Sequence, residues 1–293
     1  MKIDLQLHST YSDGYMTPTE LANFLVQNKV KVAALTDHNT VAGQHEFKHA
    51  CRKLKLKYII GIELYVKLNT KKFNILWYNL DASSPLLHKM LVATQIRRKA
   101  KVRKHLNILV DKFKFKLDIE KILDKYHHYL SINHIIDDIL AIPKNRAIVK
   151  KVLGTNSPRE IEIIKEFFYN KKLNHVMAES YINIGRILKM RKNIGGQIIL
   201  NHPGKNNSLK KDLLIRLKKL GFDGIEVLSP HHSIGSIMYA QFIARELDFI
   251  TTGGSDFHRL EGGKYLTQSS NDYFNIDSDQ LRGVGKIIDI CGI

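Results

Sequence analysis

Cysteine is nearly missing from this chain. Cys51 and Cys291 are its only two, far apart and in no C-x-x-C spacing. That argues against a disulfide framework and a cysteine-based metal site, and points to a reducing compartment. Long apolar runs are missing too: none approaches the ~18–20 residues of a membrane span. The first residues, MKIDLQLHS, read as a strand with no charged-then-apolar leader, so a cytoplasmic protein is expected. There is no Walker-type phosphate loop and no G-x-S-x-G elbow, which argues against a P-loop nucleotidase and a serine hydrolase. Acid is scarce, with 28 Asp and Glu against 46 Lys and Arg, for a net charge of +18. Most of the excess lies between residues 84 and 192, with roughly 24 basic against about 10 acidic residues.

The 293 residues divide into three segments. Residues 1–83 alternate strand and helix patterns, with strands expected at 2–8, 31–36, 58–63 and 73–80. A helix is expected at 17–27, where Thr17 caps, Pro18 opens the first turn and Glu20 completes a capping box. Repeated strand–helix–strand units predict parallel strands with right-handed crossovers. Residues 84–192 read as a basic helical insert, in which Val102, Leu106, Leu109, Val110 and Phe113 form one apolar stripe at helical spacing. Residues 193–293 return to the alternating pattern, with strands at 197–201, 223–228 and 249–252 and helices at 209–220 and 237–247. The simplest architecture is an α/β barrel interrupted by a helical insert.

The polar residues fall in a pattern on that barrel. His8 and Asp13 lie at the end of the first strand, Asp37 and His38 at the end of the second, and Glu63 at the end of the third. His202 follows the strand at 197–201, and Asp256 and His258 follow the last one. The carboxyl ends of the strands are where α/β barrels build their sites. Imidazole and carboxylate together suit oxophilic divalent ions such as Mn, Fe and Zn. Two such ions about 3.5–4 Å apart clamp a phosphate and activate water. His45, His49, His88, His105 and His175 fall on helical patterns and read as structural or exposed.

The motifs DLQLHSTYSDG, ALTDHNTVAG, GIEL, NHPG and GGSDFH closely resemble those of the PHP (polymerase and histidinol phosphatase) family of metal-dependent phosphoesterases. They run in the family's order and cover residues 1–80 and 197–260; the helical insert matches only loosely. The resemblance implies a distorted seven-stranded β/α barrel holding one to three divalent ions, with Mn expected and Mg, Fe or Zn as alternatives. The likeness is greatest to the stand-alone branch that includes nucleoside-3′,5′-bisphosphate phosphatases and 5′-to-3′ exoribonucleases. It implies one ion at Gln6, His8, Glu63 and Asp256. A second would lie at Glu63, Asn74 and an insert histidine, and a third at Asp13, His38 and His258. His134 is the expected insert ligand, with His127 and His128 as alternatives, since Ile132 and Asn133 stand where the family usually has an arginine just before the histidine. His202 is the candidate acid or phosphate contact, and Lys205 and His231 are candidate substrate contacts. Asp37 is expected to orient a neighbour.

Gln6 and Asn74 depart from the family, which normally has histidine at both places. Carboxamide oxygens bind metal more weakly than imidazole and favour harder ions. The expected function is hydrolysis of phosphate esters, of nucleotides or RNA 5′ ends, by a metal-activated water. The expected partners are a phosphorylated small molecule, a nucleotide or a short RNA, with no membrane and no obligate protein partner. The alternative is a nucleic-acid-binding protein with a degenerate metal site.

Overall fold

The computed structural model describes residues 1–173, 177–205, 209–260 and 275–290; His175 and Cys291 lie outside them. The chain separates into two compact units, one formed by Met1–Met90 with Tyr181–Ile293 and the other by Leu91–Ser180.

In the first unit, β1 (Ile3–Leu7), β2 (Val32–Leu35) and β3 (Lys57–Leu68) run parallel. Their crossovers are α1 (Pro18–Gln27) and α2 (Gln44–Leu54). Thr17 caps α1 as expected: its side chain accepts from the Glu20 N–H, and the Glu20 carboxylate accepts from the Thr17 N–H at 2.8 Å. The reciprocal pair satisfies two of the donors that a helix start leaves open.

The uniformly parallel arrangement expected from the alternating pattern does not hold. β3 runs on to Leu68 and folds back into β4 (Lys71–Tyr78), which pairs with it antiparallel. Only Asn69 and Thr70 join them, and Asn69 takes the left-handed turn conformation at φ 54°. Two residues close a hairpin, whereas a parallel crossover needs about a dozen. β4 then pairs antiparallel with β6 (Gln197–Leu200), and β5 (Ile182–Asn183) adds to β3. β6, β7 (Gly224–Leu228) and β8 (Ile250–Gly253) are parallel again. The sheet is therefore mixed, in the order β1-β2-β3-β4-β6-β7-β8. Beyond β8, Phe257 bridges Leu7 in parallel and its carbonyl accepts from the His8 N–H at 3.1 Å, which turns the last strand back toward the first. The outcome is a distorted β/α barrel.

Two apolar layers hold this frame. One joins Ile3 and Leu5 to Val32, Ile59, Leu76 and Ile199 across the sheet. The other packs Leu7, Ala33 and Leu35 against Leu21, Leu25 and Phe47 of the helices. A helix follows β6 and another follows β7. The first, between β6 and β7, is Lys211–Lys219, and the second, between β7 and β8, is Ile234–Glu246. The second starts three residues earlier than its periodicity predicts, because the Ser233 hydroxyl caps it by accepting from the Ser236 N–H.

The helical unit has its own core, in which Leu106, Leu109, Ile135, Ile139, Val149 and Phe167 pack together. Of the expected stripe, Val102, Leu106 and Leu109 are buried, whereas Val110 and Phe113 are half-buried. Arg98 is buried, pairs with Glu179 at 2.9 Å and donates to the carbonyls of Leu130 and Ala178. The His105 ring contacts the Phe167 carbonyl at 2.8 Å, a structural role.

Candidate metal centre

Strand ends gather the polar residues into one pocket of the barrel unit. His8 follows β1, and Asp13 lies in the turn beyond it. That turn passes so close to β1 that a Cβ on Gly14 would stand 2.2 Å from the His8 carbonyl oxygen. His38 follows β2 and bridges Glu63 of β3. Asn74 lies in β4, opposite Tyr65. His202 follows β6, Glu226 lies in β7, His231 follows β7, and Asp256 and His258 follow β8. Asp256 takes the left-handed conformation, φ 51°, which aspartate tolerates better than most side chains.

The side chains form two overlapping groups of metal-ligating type: His8, Asp13, His38 and His258, and His8, Glu63 and Asp256. In the first, the Asp13 carboxylate lies 3.4 Å from His8 Nδ1, 3.4 Å from His38 Nε2 and 3.3 Å from His258 Nε2. In the second, His8 Nε2 lies 3.2 Å from Glu63 Oε2 and 3.1 Å from Asp256 Oδ1. The ring of His8 stacks on that of His258 at 4.3 Å between centroids. Both ring nitrogens of His8 are buried and make no hydrogen bond. Buried polar groups are normally satisfied, so an imidazole facing three carboxylates in this way fits a metal ligand. The mixed imidazole–carboxylate donor set fits a divalent ion.

The sequence model of the PHP domain matches residues 4–198. The chain belongs to the PHP family. His202, Asp256 and His258 lie beyond the matched stretch, and the fold brings them to it. Three relatives each align over most of both chains. A phosphoribosyl 1,2-cyclic phosphate 1,2-diphosphodiesterase of Eggerthella lenta is 26% identical, over 87% of this chain and 93% of that one. A 5′-3′ exoribonuclease of Haemophilus influenzae is 27% identical, over 88% and 90%. A 3′,5′-nucleoside bisphosphate phosphatase of Chromobacterium violaceum is 25% identical, over 89% of each. Among solved structures, an amidohydrolase of Chromobacterium violaceum with bound sulfate and no metal superposes with a TM-score of 0.72 at 20% identity, covering 92% of this chain and 93% of that one. A protein of Bifidobacterium adolescentis named as a metal-dependent phosphoesterase superposes with a TM-score of 0.74, also at 20% identity, covering 95% and 98%. These two likenesses are of fold.

Electrostatics in this PHP pocket follow from burial opposed by close charge. Burial alone would raise the Glu63 carboxyl, but the imidazoles of His38, His202 and His8 outweigh it and hold that carboxyl well below the usual range. Asp256 is held well below by His258, His231 and His8 against the same burial, and Asp13 is lowered by His38 and His258. His8 moves the other way: burial opposes its charge, yet Asp256 and Glu63 raise it well above the ordinary histidine value. Glu226, buried and facing Asp256, is raised well above the carboxylate range. Asp4 is pushed up to about 7 by burial, even though the Ser255 hydroxyl and N–H both donate to it.

The remaining predicted residues distribute as follows. Gln6 Nε2 donates to Asp256 Oδ1 at 2.8 Å and to Glu63 Oε2 at 3.2 Å, and Asn74 Nδ2 donates to Glu63 Oε1 at 2.5 Å. His202 is buried, with Nε2 3.5 Å from Glu63 Oε1. His231 Nε2 lies 2.6 Å from Asp256 Oδ2, and the exposed Lys205 Nζ lies 3.4 Å from the same nitrogen. Asp37 accepts from the Ser9 N–H, the Ser9 hydroxyl and the Ser12 hydroxyl, so it shapes the turn carrying Asp13. His134 lies in the helical unit, on the helix Ile132–Ala141, with its ring stacked on Tyr126 at 5.4 Å. Both ligand groups draw on the barrel unit alone.

Sequence reasoning missed Tyr65 and Asp4. The Tyr65 hydroxyl is 3.2 Å from His38 Nε2 and its ring stacks on that imidazole. Asp4 anchors Ser255 beneath Asp256. Each stands two residues along a strand from a residue already singled out, Tyr65 from Glu63 and Asp4 from Gln6. Period-two spacing was the signal that would have found them.

Proposed function

We propose that this PHP protein is a metal-dependent phosphoesterase acting on phosphate esters of nucleotides or RNA 5′ ends. The observation that carries the reading is the convergence of Asp13, His38 and His258 with His8, Glu63 and Asp256 in one cluster at the strand ends, its inner members buried and Asp13, Asp256 and His258 partly open. Divalent ions, with Mn expected, would polarise a phosphate oxygen and lower the pKa of a water.

The chain's own residues have the following parts. Asp13, His38, His258 and His8 would hold an ion, with the carboxylates of Glu63 and Asp256 beside it. Asp37 keeps the Asp13 turn in place through Ser9 and Ser12. Lys205 and His231, at the rim, would take the phosphate, one as an exposed cation and the other as an imidazole fixed by Asp256. His202 would give a proton to the leaving oxygen. The substrate class rests on the relatives, whose names speak of a phosphoribosyl compound, RNA and a nucleoside bisphosphate. It also rests on the surplus of basic residues, which favours polyanions.

A phosphatase screen tests it, with Mn, Mg, Fe and Zn across nucleoside bisphosphates, 5′-phosphorylated oligonucleotides and simple esters. Turnover should be highest with Mn on a ribose-borne phosphate and should vanish in His258→Ala. Lack of turnover with every metal and substrate would defeat the proposal.

A further inference from the structure

Glu63 and Asp256 present one oxygen each, Oε2 and Oδ1, to the same two nitrogens. Gln6 Nε2 contacts both oxygens, at 3.2 and 2.8 Å, and His8 Nε2 contacts both, at 3.2 and 3.1 Å. Glu63's other oxygen accepts from Asn74 Nδ2 at 2.5 Å. An amide nitrogen is a donor and offers no lone pair to a metal. Turning the Gln6 amide round would set its oxygen against two carboxylates, and in the present orientation that oxygen is buried without a hydrogen-bond partner. The Gln6 amide group thus bridges Glu63 and Asp256 by donating to both.

The Asp13 group differs. Asp13 meets three imidazole nitrogens at 3.3–3.4 Å. Four ligand atoms about 2.1 Å from an ion stand about 3.4 Å apart in a tetrahedral array. His8 cannot serve both groups, because a neutral imidazole has one lone pair. Nδ1 is the nitrogen facing Asp13, and an imidazole that commits its lone pair there has none to offer at Glu63 and Asp256. Deprived of His8, the Glu63 group retains two carboxylates, whereas the Asp13 group is complete.

We infer that Gln6 and Asn74 hold Glu63 and Asp256 by hydrogen bonds in place of a second cation, so that the chain takes one divalent ion tightly, at Asp13, His38, His258 and His8 Nδ1. This rests on the reading of the pocket as a divalent-metal centre. In it Gln6 and Asn74 are positioning residues rather than weak ligands, and Glu63 is a hydrogen-bond acceptor rather than a bridge.

The test counts ions. The full chain, stripped with chelator, is titrated with Mn²⁺, with free ion followed by its paramagnetic resonance signal and bound ion by elemental analysis. One tight equivalent is expected. Glu63→Gln should keep it and Asp13→Asn should lose it, and Gln6→His with Asn74→His should add a second equivalent. Two or three tight equivalents in the wild type, or loss of the ion in Glu63→Gln with its circular dichroism intact, would overturn the inference and leave the metal-dependent reading standing. So would a folded double histidine variant that still takes one ion. Should that variant fail to fold, the wild-type count and the two single variants decide. Absence of any tight ion in the wild type would overturn both.

Discussion

His231 reaches across from the end of β7 to place Nε2 2.6 Å from Asp256 Oδ2. The pair joins the rim of the pocket to its floor, since the His231 side chain is 29% exposed and that of Asp256 is 7% exposed. His231 can therefore be removed without opening the core. Partners that orient the groups around a metal site cost roughly 10- to 100-fold in activity or metal affinity when lost. His231→Ala should lower kcat/KM on the best substrate by about that factor while the thermal midpoint stays near that of the wild type. Steady-state kinetics beside a melting curve check it. Unchanged kinetics would remove His231 from the site.

Gly14 should tolerate no side chain. A Cβ there would meet backbone atoms of His8 and Ser9, at 2.2 Å for the nearest, and backbone cannot rotate aside as a flexible side chain does. Overpacking of this kind costs about 1–3 kcal/mol. Gly14→Ala should fall at the upper end of that range in a urea melt and should weaken Mn²⁺ binding, because the same turn carries Asp13.

Cys51 is fully buried on α2, and burial pushes its thiol up to about 12 from an ordinary 9.0. Below pH 9 both folded and unfolded chains keep the proton, so the group adds no pH dependence. Between pH 9 and 12 the unfolded chain loses it and the folded chain retains it. The folded state then binds more protons, and stability falls as pH rises. Denaturant melts from pH 8 to 11 should show this decline, and Cys51→Ala should make it shallower, leaving the share of Tyr78 and Tyr126, whose hydroxyls burial also raises. At pH 8 the native thiol should not react with a disulfide reagent until the chain is unfolded.

The capping box of Thr17 and Glu20 was legible in the sequence because its partners are three residues apart and act locally. His8, Asp13, His38, Glu63, Asp256 and His258 were legible because strand ends on one barrel face share a direction, so their convergence follows from the alternating pattern. The turn at Asn69 was not. The third strand was expected to stop at Glu63, but pairing with β4 carries it to Leu68, and long-range pairing of that kind leaves little local trace. Gln6 and Asn74 were visible as departures from the family, and their carboxamide chemistry suggested weak ligands. Which end of each amide faces Glu63 depends on where the two carboxylates stand relative to them, and that is a property of the folded pocket. Tyr65 was passed over because an aromatic residue in a strand is usually packing, and its hydroxyl acquires a partner only when His38 arrives from another strand.

Where the ion binds is the most direct test of the account. Crystals grown with Mn²⁺ and measured at the manganese absorption edge should show an anomalous peak within bonding distance of Asp13, His38 and His258. Full Mn²⁺ occupancy in solution, with no anomalous density at those three side chains, would contradict it.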